Sequence, residues 1–148
     1  MKPYSYFIDT GAYFAAFFPK DNYHQQSIEI WESIENSDIK IITSNHILDE
    51  LATLLARKTN YSFAASQLKA IYTDSKIHIE RSNHADELQA LSFFQKYSDQ
   101  KISFTDCISF AIMKRLNITQ VFTFDQHFEY LGFNLITNKI VNKKTFDN

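Results

Sequence analysis

The sequence predicts an α/β fold built on a mostly parallel sheet, and two observations lead to this prediction. Short apolar and β-branched runs alternate along the chain with longer stretches of helical periodicity, which is the pattern of successive βαβ units. The 148 residues include only two glycines and two prolines, so regular elements with short connections are expected. Because 45% of the residues are hydrophobic, we expect a single domain over residues 1–148 with a sizeable core.

Five strands and five intervening helices account for most of this pattern. The strands are predicted at residues 4–8, 39–43, 76–80, 120–124 and 133–137. The helices are predicted at residues 23–36, 44–58, 61–74, 83–97 and 103–116. Ser44 or Asn45, Asn83 and Ser103 are the expected N-caps, because short polar side chains accept hydrogen bonds from the free N–H groups of a first turn. Residues 138–148 are expected to form a loose basic tail.

Charge and cysteine content exclude several classes of protein. A formal net charge of −2 gives no global attraction to nucleic acid, so such a partner would need a local basic patch or bound cations. The single cysteine, Cys107, cannot form an intramolecular disulfide and is interpreted as a small buried residue rather than a nucleophile. Asp9 interrupts the N-terminal apolar run, so neither a signal peptide nor a membrane span is predicted, and a cytoplasmic location is expected.

Two carboxylates lie directly after predicted strands. Asp9 follows the first strand in SYFIDTGAYF, and Asp125 follows the strand VFTF. Because the carboxyl ends of parallel strands meet at one edge of a sheet, both side chains are expected at the same rim. Each residue also has a simpler interpretation: Asp9 as the N-cap of the next helix, and Asp125 as a turn residue.

Two further carboxylates lie in the first turns of predicted helices. Glu50 falls on the edge of the apolar stripe of its helix, where it can reach over the rim, whereas Asp49 falls opposite the stripe and is expected in solvent. Asp106 shares a helix face with apolar residues, so its carboxylate is expected to point inward. The alternative for Asp106 is a capping box with Ser103, three residues earlier.

Four carboxylates at one rim imply a cation. At close range they repel one another, and some would hold protons at neutral pH unless a divalent ion were bound. A set of oxygen ligands favours a hard cation, Mg²⁺ or Mn²⁺, which also binds phosphate oxygens. The cysteine and the five histidines show no spacing typical of a zinc site.

The ordered motifs resemble the PIN domain family, and are most similar to its small single-domain members of the VapC toxin ribonuclease type. The resemblance lies in FIDTGAYFAAF with a following D..H (from around Asp9 to His24), ITSNHILDELATLLARK (42–58), KYSDQKISFTDCISFAIMKRLNI (96–118) and VFTFDQHFEYLGF (121–133). Each motif is weak by itself, but four in this order are specific. Residues 60–95 match only in the order of their elements.

The resemblance implies a three-layer α/β/α fold with a small, mostly parallel sheet, and RNA cleavage with one or two Mg²⁺ or Mn²⁺ ions. By motif position, the catalytic and metal-binding acids are those selected above. Asp9 and Asp106 are expected to hold the principal ion. Glu50 and Asp125 are expected to bind a second ion or to orient the attacking water.

Other positions of the motifs suggest supporting roles. Thr10 and Thr123 lie beside the acids, where the family often has a hydroxyl, and are expected to hold a water molecule of the metal site. Asp99 matches an acidic position and is interpreted as a supporting residue or a loop cap rather than a ligand. His127 and Gly132 belong to the FD.HF…GF segment, which we interpret as structural.

Contacts with RNA must come from outside the acids, which repel phosphate. The candidate cations are Arg57, Lys58, Lys114 and Arg115, with Lys20 and Lys101 near the motif loops, although ordinary solvated charge is the alternative for each. Tyr13, Phe14 or Phe18 would stack on a base if exposed, and pack in the core otherwise. The resemblance further implies a homodimer that a cognate antitoxin protein inhibits.

Several rival functions remain open at this point. Within the family, the chain could be a housekeeping nuclease or a catalytically silent RNA-binding or interaction module. A phosphatase of the haloacid dehalogenase type also begins with an Asp at a strand end, but it requires a second Asp where this chain has Gly11. A response-regulator receiver requires adjacent acids near the first strand and a late lysine after a strand, and neither is evident.

Overall fold

Five parallel strands form one sheet in the computed structural model, which describes residues 4–137. The strands are β1 (Ser5–Ile8), β2 (Lys40–Ser44), β3 (Ile77–Glu80), β4 (Gln120–Phe122) and β5 (Asn134–Leu135). Their order in the sheet is β3-β2-β1-β4-β5, so β1 is central, and its Phe7 pairs with Ile42 of β2 and Val121 of β4. The five predicted strands are confirmed, although β4 and β5 are shorter than predicted.

Seven α-helices connect and cover the strands in the described part of the chain. They are α1 (Thr10–Phe17), α2 (His24–Glu35), α3 (Asn45–Lys58), α4 (Tyr61–Thr73), α5 (His84–Lys96), α6 (Phe104–Arg115) and α7 (His127–Tyr130), with a short 3₁₀ helix at Ser98–Gln100. The five predicted helices are confirmed as α2 to α6. The side chains of Ser44, Asn83 and Ser103 cap α3, α5 and α6 as predicted. Helix α1 was implied only by the capping alternative for Asp9, without bounds, and α7 was not predicted, because four residues are too short to show a helical period.

The connections place the helices in two layers, one on each face of the sheet. The chain moves from β1 to β2 to β3 in one direction and then returns to β4 on the other side of β1. Because crossovers between parallel strands are right-handed, α1 to α4 cover one face and α5 and α6 cover the other. Helix α1 packs against α2 and α3, α3 packs against α4, and α5 packs against α6. The predicted three-layer α/β/α fold is confirmed.

The core lies on both faces of the sheet and explains the high aromatic content. Phe7 and Phe122 of the central strands are fully buried, and Phe110 of α6 packs on Phe128 of α7 with ring centroids 4.9 Å apart. Helix α6 is buried on all sides from Cys107 to Met113, so Cys107 is the buried residue that was predicted. No helix within residues 4–137 is long and apolar enough to cross a membrane. The predicted basic tail, residues 138–148, lies outside the described residues.

An ion pair between buried Asp86 and exposed Arg115 joins the start of α5 to the end of α6. Asp86 is 3% exposed and forms a capping box with Asn83. Its carboxylate also accepts hydrogen bonds from Nε and Nη2 of Arg115, each 2.9 Å from one of its oxygens. Burial raises the pKa of Asp86, but the hydrogen bonds from Arg115 and Asn83 and the Arg115 charge outweigh burial and lower it. Arg115 also lies 3.0 Å from Glu80.

Replacing Asp86 with Ala is expected to lower the free energy of unfolding by about 1–3 kcal/mol. The substitution removes a helix cap and leaves the Arg115 guanidinium without its main partner. Urea denaturation of the purified variants measures the effect. The control is Glu87→Ala, which changes an exposed acid in the same helical turn and is expected to cost less than about 0.5 kcal/mol. Equal losses for the two variants would contradict a stabilising role for the ion pair.

Candidate active site

The four predicted acids line one open depression at the carboxyl-terminal edge of the sheet. The depression has a volume of about 490 Å³ and lies where β1 and β4 end. Asp9, Glu50, Asp106 and Asp125 all line it, and so do Thr10 and Thr123. The fold therefore brings together residues that are as much as 116 positions apart (Asp9 and Asp125). Asp99 is exposed in the 3₁₀ helix and is not among the lining residues.

Asp9 is the most buried of the four acids, with 6% of its surface exposed. Its backbone N–H donates to the carbonyl of Phe122 at 3.0 Å, which continues the pairing of β1 with β4. Asp9 occupies the N-cap position of α1, but its side chain makes no capping hydrogen bond. Its carboxylate instead accepts a 2.7 Å hydrogen bond from the Thr123 hydroxyl. The capping alternative therefore does not explain the Asp9 side chain.

Thr123 links the two acids that follow strands. Its buried hydroxyl donates to Asp9 and accepts a 3.0 Å hydrogen bond from the backbone N–H of Asp125. Its carbonyl accepts a 3.1 Å hydrogen bond from the hydroxyl of Thr137. These bonds turn the chain out of the sheet after Phe122, which is why β4 ends before the predicted residue 124. They also fix Asp125 beside Asp9.

Asp106 and Glu50 reach the depression from helices on opposite faces of the sheet. Asp106 lies in the first turn of α6, where its N–H donates to the Ser103 hydroxyl at 3.1 Å, and it is half-buried. The predicted cap by Ser103 is thus present, and the Asp106 carboxylate still lines the site. Glu50 is exposed and lies in the second turn of α3, not in the first turn as predicted, because α3 begins at Asn45. Among the described residues, no ion pair involves Asp9, Glu50 or Asp106, so no cationic side chain neutralises them.

Burial and mutual repulsion make two of the acids hold their protons unusually tightly. The pKa of Asp9 is raised from 3.8 to about 6, mainly by burial and also by the charges of Glu50 and Asp125, against the opposing hydrogen bonds from the Thr123 hydroxyl and the Thr10 backbone. The pKa of Asp106 is raised to about 8, mainly by burial and also by the charges of Asp9 and Asp125. Both shifts mean that full ionisation of the site near neutral pH requires a compensating positive charge.

The residues of the depression fit a divalent cation. Asp106, Asp125 and His127 each offer one ligand atom, and these atoms lie within 4.8 Å of one another. The hydroxyl of Thr10 is buried without a hydrogen-bond partner, so it is available to a water molecule or a ligand. Carboxylates and hydroxyls form the donor set that Mg²⁺ and Mn²⁺ prefer.

His127 is a candidate site residue, although its position in the FD.HF…GF segment predicted a structural role. Its N–H donates to Oδ1 of Asp125 at 2.9 Å, which forms the turn that begins α7. Its ring Nδ1 lies 3.0 Å from the same oxygen but makes no hydrogen bond there. The D-x-H spacing in the sequence could have indicated this role for His127. In an Asx turn the Asp carboxylate accepts a hydrogen bond from the backbone N–H two residues later, which places that residue beside the carboxylate.

The proposed RNA-contacting residues have different surroundings. Arg57 is exposed in the last turn of α3 and lines a groove with Glu50, next to the depression. Lys58 is exposed in the same turn. Lys114 lies over the ring of Phe93 at 4.9 Å, and Arg115 is held by Asp86 and Glu80. Arg115 therefore has a structural role that its sequence context did not reveal.

The aromatic residues considered for base stacking pack mainly in the interior. Tyr13 and Phe14 are buried, with 2% and 8% exposed, and Phe18 packs against Phe14. The alternative of core packing is therefore correct for these residues. Two other aromatic residues, Tyr23 and Phe124, line the acidic depression instead.

A parallel sheet with carboxylates and hydroxyls gathered at its carboxyl-terminal edge defines an α/β domain whose acidic site offers oxygen ligands of the kind that hold divalent cations. The chain belongs to the PIN domain family, whose model matches residues 6–134.

Named relatives support the same assignment. The chain is 31% identical over 127 residues to the 23S rRNA-specific endonuclease VapC20 of Mycobacterium tuberculosis, covering 86% of this chain and 94% of that protein. It is 32% identical over 130 residues to a VapC ribonuclease of Archaeoglobus fulgidus, covering 82% and 77% of the two chains. The resemblance to the VapC type is thereby confirmed.

Solved structures agree with the fold. The crystal structure of M. tuberculosis VapC20, described as a sarcin–ricin loop-cleaving toxin, superposes with a TM-score of 0.80 at 29% identity and covers 86% of this chain and 95% of its own. VapBC2 from Rickettsia felis, bound to a DNA fragment from its promoter, has a TM-score of 0.61 at 16% identity, with 88% and 96% covered. The second similarity concerns the fold alone.

Proposed function

We propose that this chain is a metal-dependent endoribonuclease and the toxin of a VapBC-type toxin–antitoxin pair. The observation that carries the proposal is the convergence of Asp9, Glu50, Asp106 and Asp125 on one depression, where no lysine or arginine of the described residues forms an ion pair with any of them. The names of the relatives support ribonuclease activity, and the acids in the depression suit direct hydrolysis by water, which needs no nucleophilic side chain.

The acids would hold one or two Mg²⁺ or Mn²⁺ ions. Asp9 and Asp106 are the proposed ligands of the principal ion, and Glu50 and Asp125 are proposed to complete the site, with His127 near enough to contribute. When bound, such an ion supplies positive charge that stabilises the phosphate oxygens and makes a neighbouring water more acidic.

The side chains around the acids prepare them for this role. Thr123 orients Asp9 by donating to its Oδ2, and it positions Asp125 through the backbone N–H of that residue. The unpaired hydroxyl of Thr10 is proposed to hold a water molecule in the depression. Glu50 or Asp125 is proposed to accept a proton from the attacking water.

The reaction is then a simple hydrolysis. The water oxygen bonds to phosphorus, the bond from phosphorus to the 3′ oxygen breaks, and that oxygen leaves with a proton. The products are expected to carry a 5′-phosphate and a 3′-hydroxyl.

The remaining parts of the proposal concern partners. Arg57 is the best-placed cation for an RNA phosphate, because it lines the groove that Glu50 shares with the depression, and Lys58 lies beside it in sequence. The surroundings of Lys114 and Arg115 do not support a role in RNA contact. Asp99 lies outside the depression, so its surroundings do not support a role beside the acids. A homodimer, a cognate antitoxin and a cytoplasmic location are proposed from the resemblance to VapC proteins.

Cleavage of RNA by the purified chain, with and without metal, tests the proposed function. The substrates are 23S rRNA, because one relative is named for it, and an unstructured RNA. Cleavage is expected in Mg²⁺ or Mn²⁺ and is expected to fall at least about 100-fold in EDTA, since the acids cannot act alone. The products are expected to be substrates for a ligase that requires a 5′-phosphate. Cleavage that persists in EDTA, or that leaves 2′,3′-cyclic phosphates, would contradict the proposal.

A further inference from the structure

We propose that Tyr23 and Phe124 form a stacking platform for an unpaired base of the RNA, next to the phosphate that is cleaved. This inference rests on the proposed function and deepens it, since it assigns a substrate-binding role to residues outside the acidic set. It requires that the platform be exposed, rigid and adjacent to the acids.

The geometry of the pair meets the first requirement. The two rings are nearly parallel, with an interplanar angle of 8° and centroids 4.4 Å apart. Phe124 is partly buried and packs against the core, whereas Tyr23 is 48% exposed. Phe124 thus covers one face of the Tyr23 ring, and the tyrosine presents the rest of its surface to solvent.

The pair is also anchored directly to the acidic site. Phe124 lies between Thr123 and Asp125, both of which are held by hydrogen bonds at the end of β4. Phe124 further contacts the fully buried ring of Phe122, with centroids 5.9 Å apart. Any base on Tyr23 is therefore held at a fixed place relative to Asp9 and Asp125.

Tyr23 is positioned from its own side by a turn. Its backbone N–H donates to Oδ1 of Asp21 at 2.9 Å, and the next N–H, that of His24, donates to the Asp21 carbonyl at 3.1 Å. The His24 ring in turn bonds the carbonyl of Ala15 at 2.7 Å. The start of α2 is thereby tied to α1, which limits the motion of the Tyr23 ring.

Among the described residues, no other exposed aromatic side chain lines the depression. The other exposed tyrosines and phenylalanines lie outside it, at Tyr4, Tyr61, Tyr72, Phe94, Phe104 and Tyr130. Phe14 lines the depression but is 8% exposed and packs against Phe18.

The chemistry of the site favours a contact of this kind. The four acids repel the RNA backbone, so a contact with a base adds affinity near the cleaved bond that does not depend on phosphate charge. A flat aromatic face accepts any base, which allows stacking without a specific hydrogen-bond pattern.

Removing the ring is expected to weaken RNA binding about tenfold. The probes are short unstructured RNAs that carry 2-aminopurine at each position in turn, whose fluorescence falls when the base stacks on a ring. Two proteins are compared in Mn²⁺, the Asp106→Asn variant and the double variant that also carries Tyr23→Leu. The Asp106→Asn substitution is included to prevent cleavage of the RNA during the binding measurement. Without Tyr23→Leu, one position is expected to lose fluorescence on binding. With Tyr23→Leu, this quenching is expected to disappear.

Kinetics with otherwise wild-type protein separate binding from structural effects. Tyr23→Leu is expected to raise KM about tenfold with a smaller change in kcat. Tyr23→Phe, which keeps the ring, is expected to behave like the wild type. Tyr61→Leu, which removes an 84% exposed tyrosine outside the depression, is expected to leave both constants unchanged. Mn²⁺ is expected to raise the melting temperature of all these variants equally, because none of them changes an acid.

The outcomes distinguish the platform from the nuclease itself. If the wild type cleaves RNA but Tyr23→Leu has the same KM and the same quenching, the platform is wrong and the nuclease proposal is unaffected. The platform proposal would also be overturned if Tyr61→Leu raised KM as much as Tyr23→Leu does, or if Tyr23→Leu were no longer stabilised by Mn²⁺. If Tyr23→Leu fails to fold, Phe124→Leu keeps the tyrosine but removes its support, and unchanged quenching and KM in that variant would overturn the proposal. A wild type that neither binds nor cleaves RNA would overturn both proposals.

Discussion

Asp106→Asn is expected to reduce RNA cleavage by at least about 10³-fold while leaving the chain folded. The substitution keeps the size and shape of the side chain but removes a negative charge from the proposed principal metal site. Loss of about 4 kcal/mol of transition-state stabilisation corresponds to this factor, since each 1.36 kcal/mol is tenfold in rate. Initial rates on the same RNA at saturating Mn²⁺ measure the effect, and circular dichroism confirms the fold.

Asp99→Asn is the matched control for this prediction. It makes the same chemical change at an exposed acid seven residues before Asp106. Asp99 lies outside the depression. Its rate is expected to stay within about threefold of the wild type. An Asp106→Asn chain that retains wild-type activity would contradict the proposed ligand. Equal losses in the two variants would show that Asp99 also serves the reaction, as its position in the motif suggested.

Mn²⁺ is expected to raise the melting temperature of the wild type by roughly 5–10 °C at an ion concentration about 100 times the dissociation constant. Binding to the folded state alone contributes about 2.7 kcal/mol at that ratio, and each kcal/mol shifts the melting temperature of a chain of this size by about 2–4 °C. The increase is expected to be larger at pH 8 than at pH 5, because protons compete with the ion for the carboxylates. Differential scanning fluorimetry across this range provides the measurement.

The pH dependence of the metal-free protein has a definite sign. The pKa of Asp9 is raised in the folded state from 3.8 to about 6, so the folded chain binds more protons than the unfolded chain between these values. The stability that this residue contributes is fully present below pH 3.8 and is lost as the pH rises through about 6. Asp106 extends the loss to about pH 8. For Asp9, the difference amounts to about 3 kcal/mol at most.

Asp9→Asn tests whether ionisation of the buried Asp9 carboxyl destabilises the metal-free protein. Without metal, the variant is expected to be at least as stable as the wild type at pH 8, because the amide carries no charge to bury and its oxygen can still accept from Thr123. It is expected to gain less from Mn²⁺ and to show a shallower pH dependence. Strong destabilisation of Asp9→Asn without metal would instead assign Asp9 a purely structural role.

Local signals explain how much of the fold could be predicted from the sequence. The strands are short apolar or β-branched runs. Three of the helices, α3, α5 and α6, are capped by Ser44, Asn83 and Ser103, whose side chains accept hydrogen bonds from the backbone N–H three residues later. These interactions are contained within a few residues, so composition and spacing reveal them. Helix α7 was missed because its start depends on a turn at Asp125 rather than on an apolar period.

The acidic site could be predicted for a related reason. Asp9 and Asp125 follow strands, and Glu50 and Asp106 lie in early helical turns, so the parallel topology alone directs all four to one edge of the sheet. The number of acids and the charge repulsion between them could both be inferred from the sequence. The identity of the family was visible in the order of the same segments.

Only the tertiary structure decided which neighbours these residues meet. Tyr23 and Phe124 are 101 positions apart and stack because α2 begins beside the end of β4. Arg115, a candidate for RNA contact in the sequence, is held by Asp86, 29 positions earlier. Periodicity reports which face of an element is apolar, whereas such pairings depend on how distant elements pack. The sequence by itself therefore determined the chemistry of the site, and the packing determined which surrounding side chains remain free to serve it.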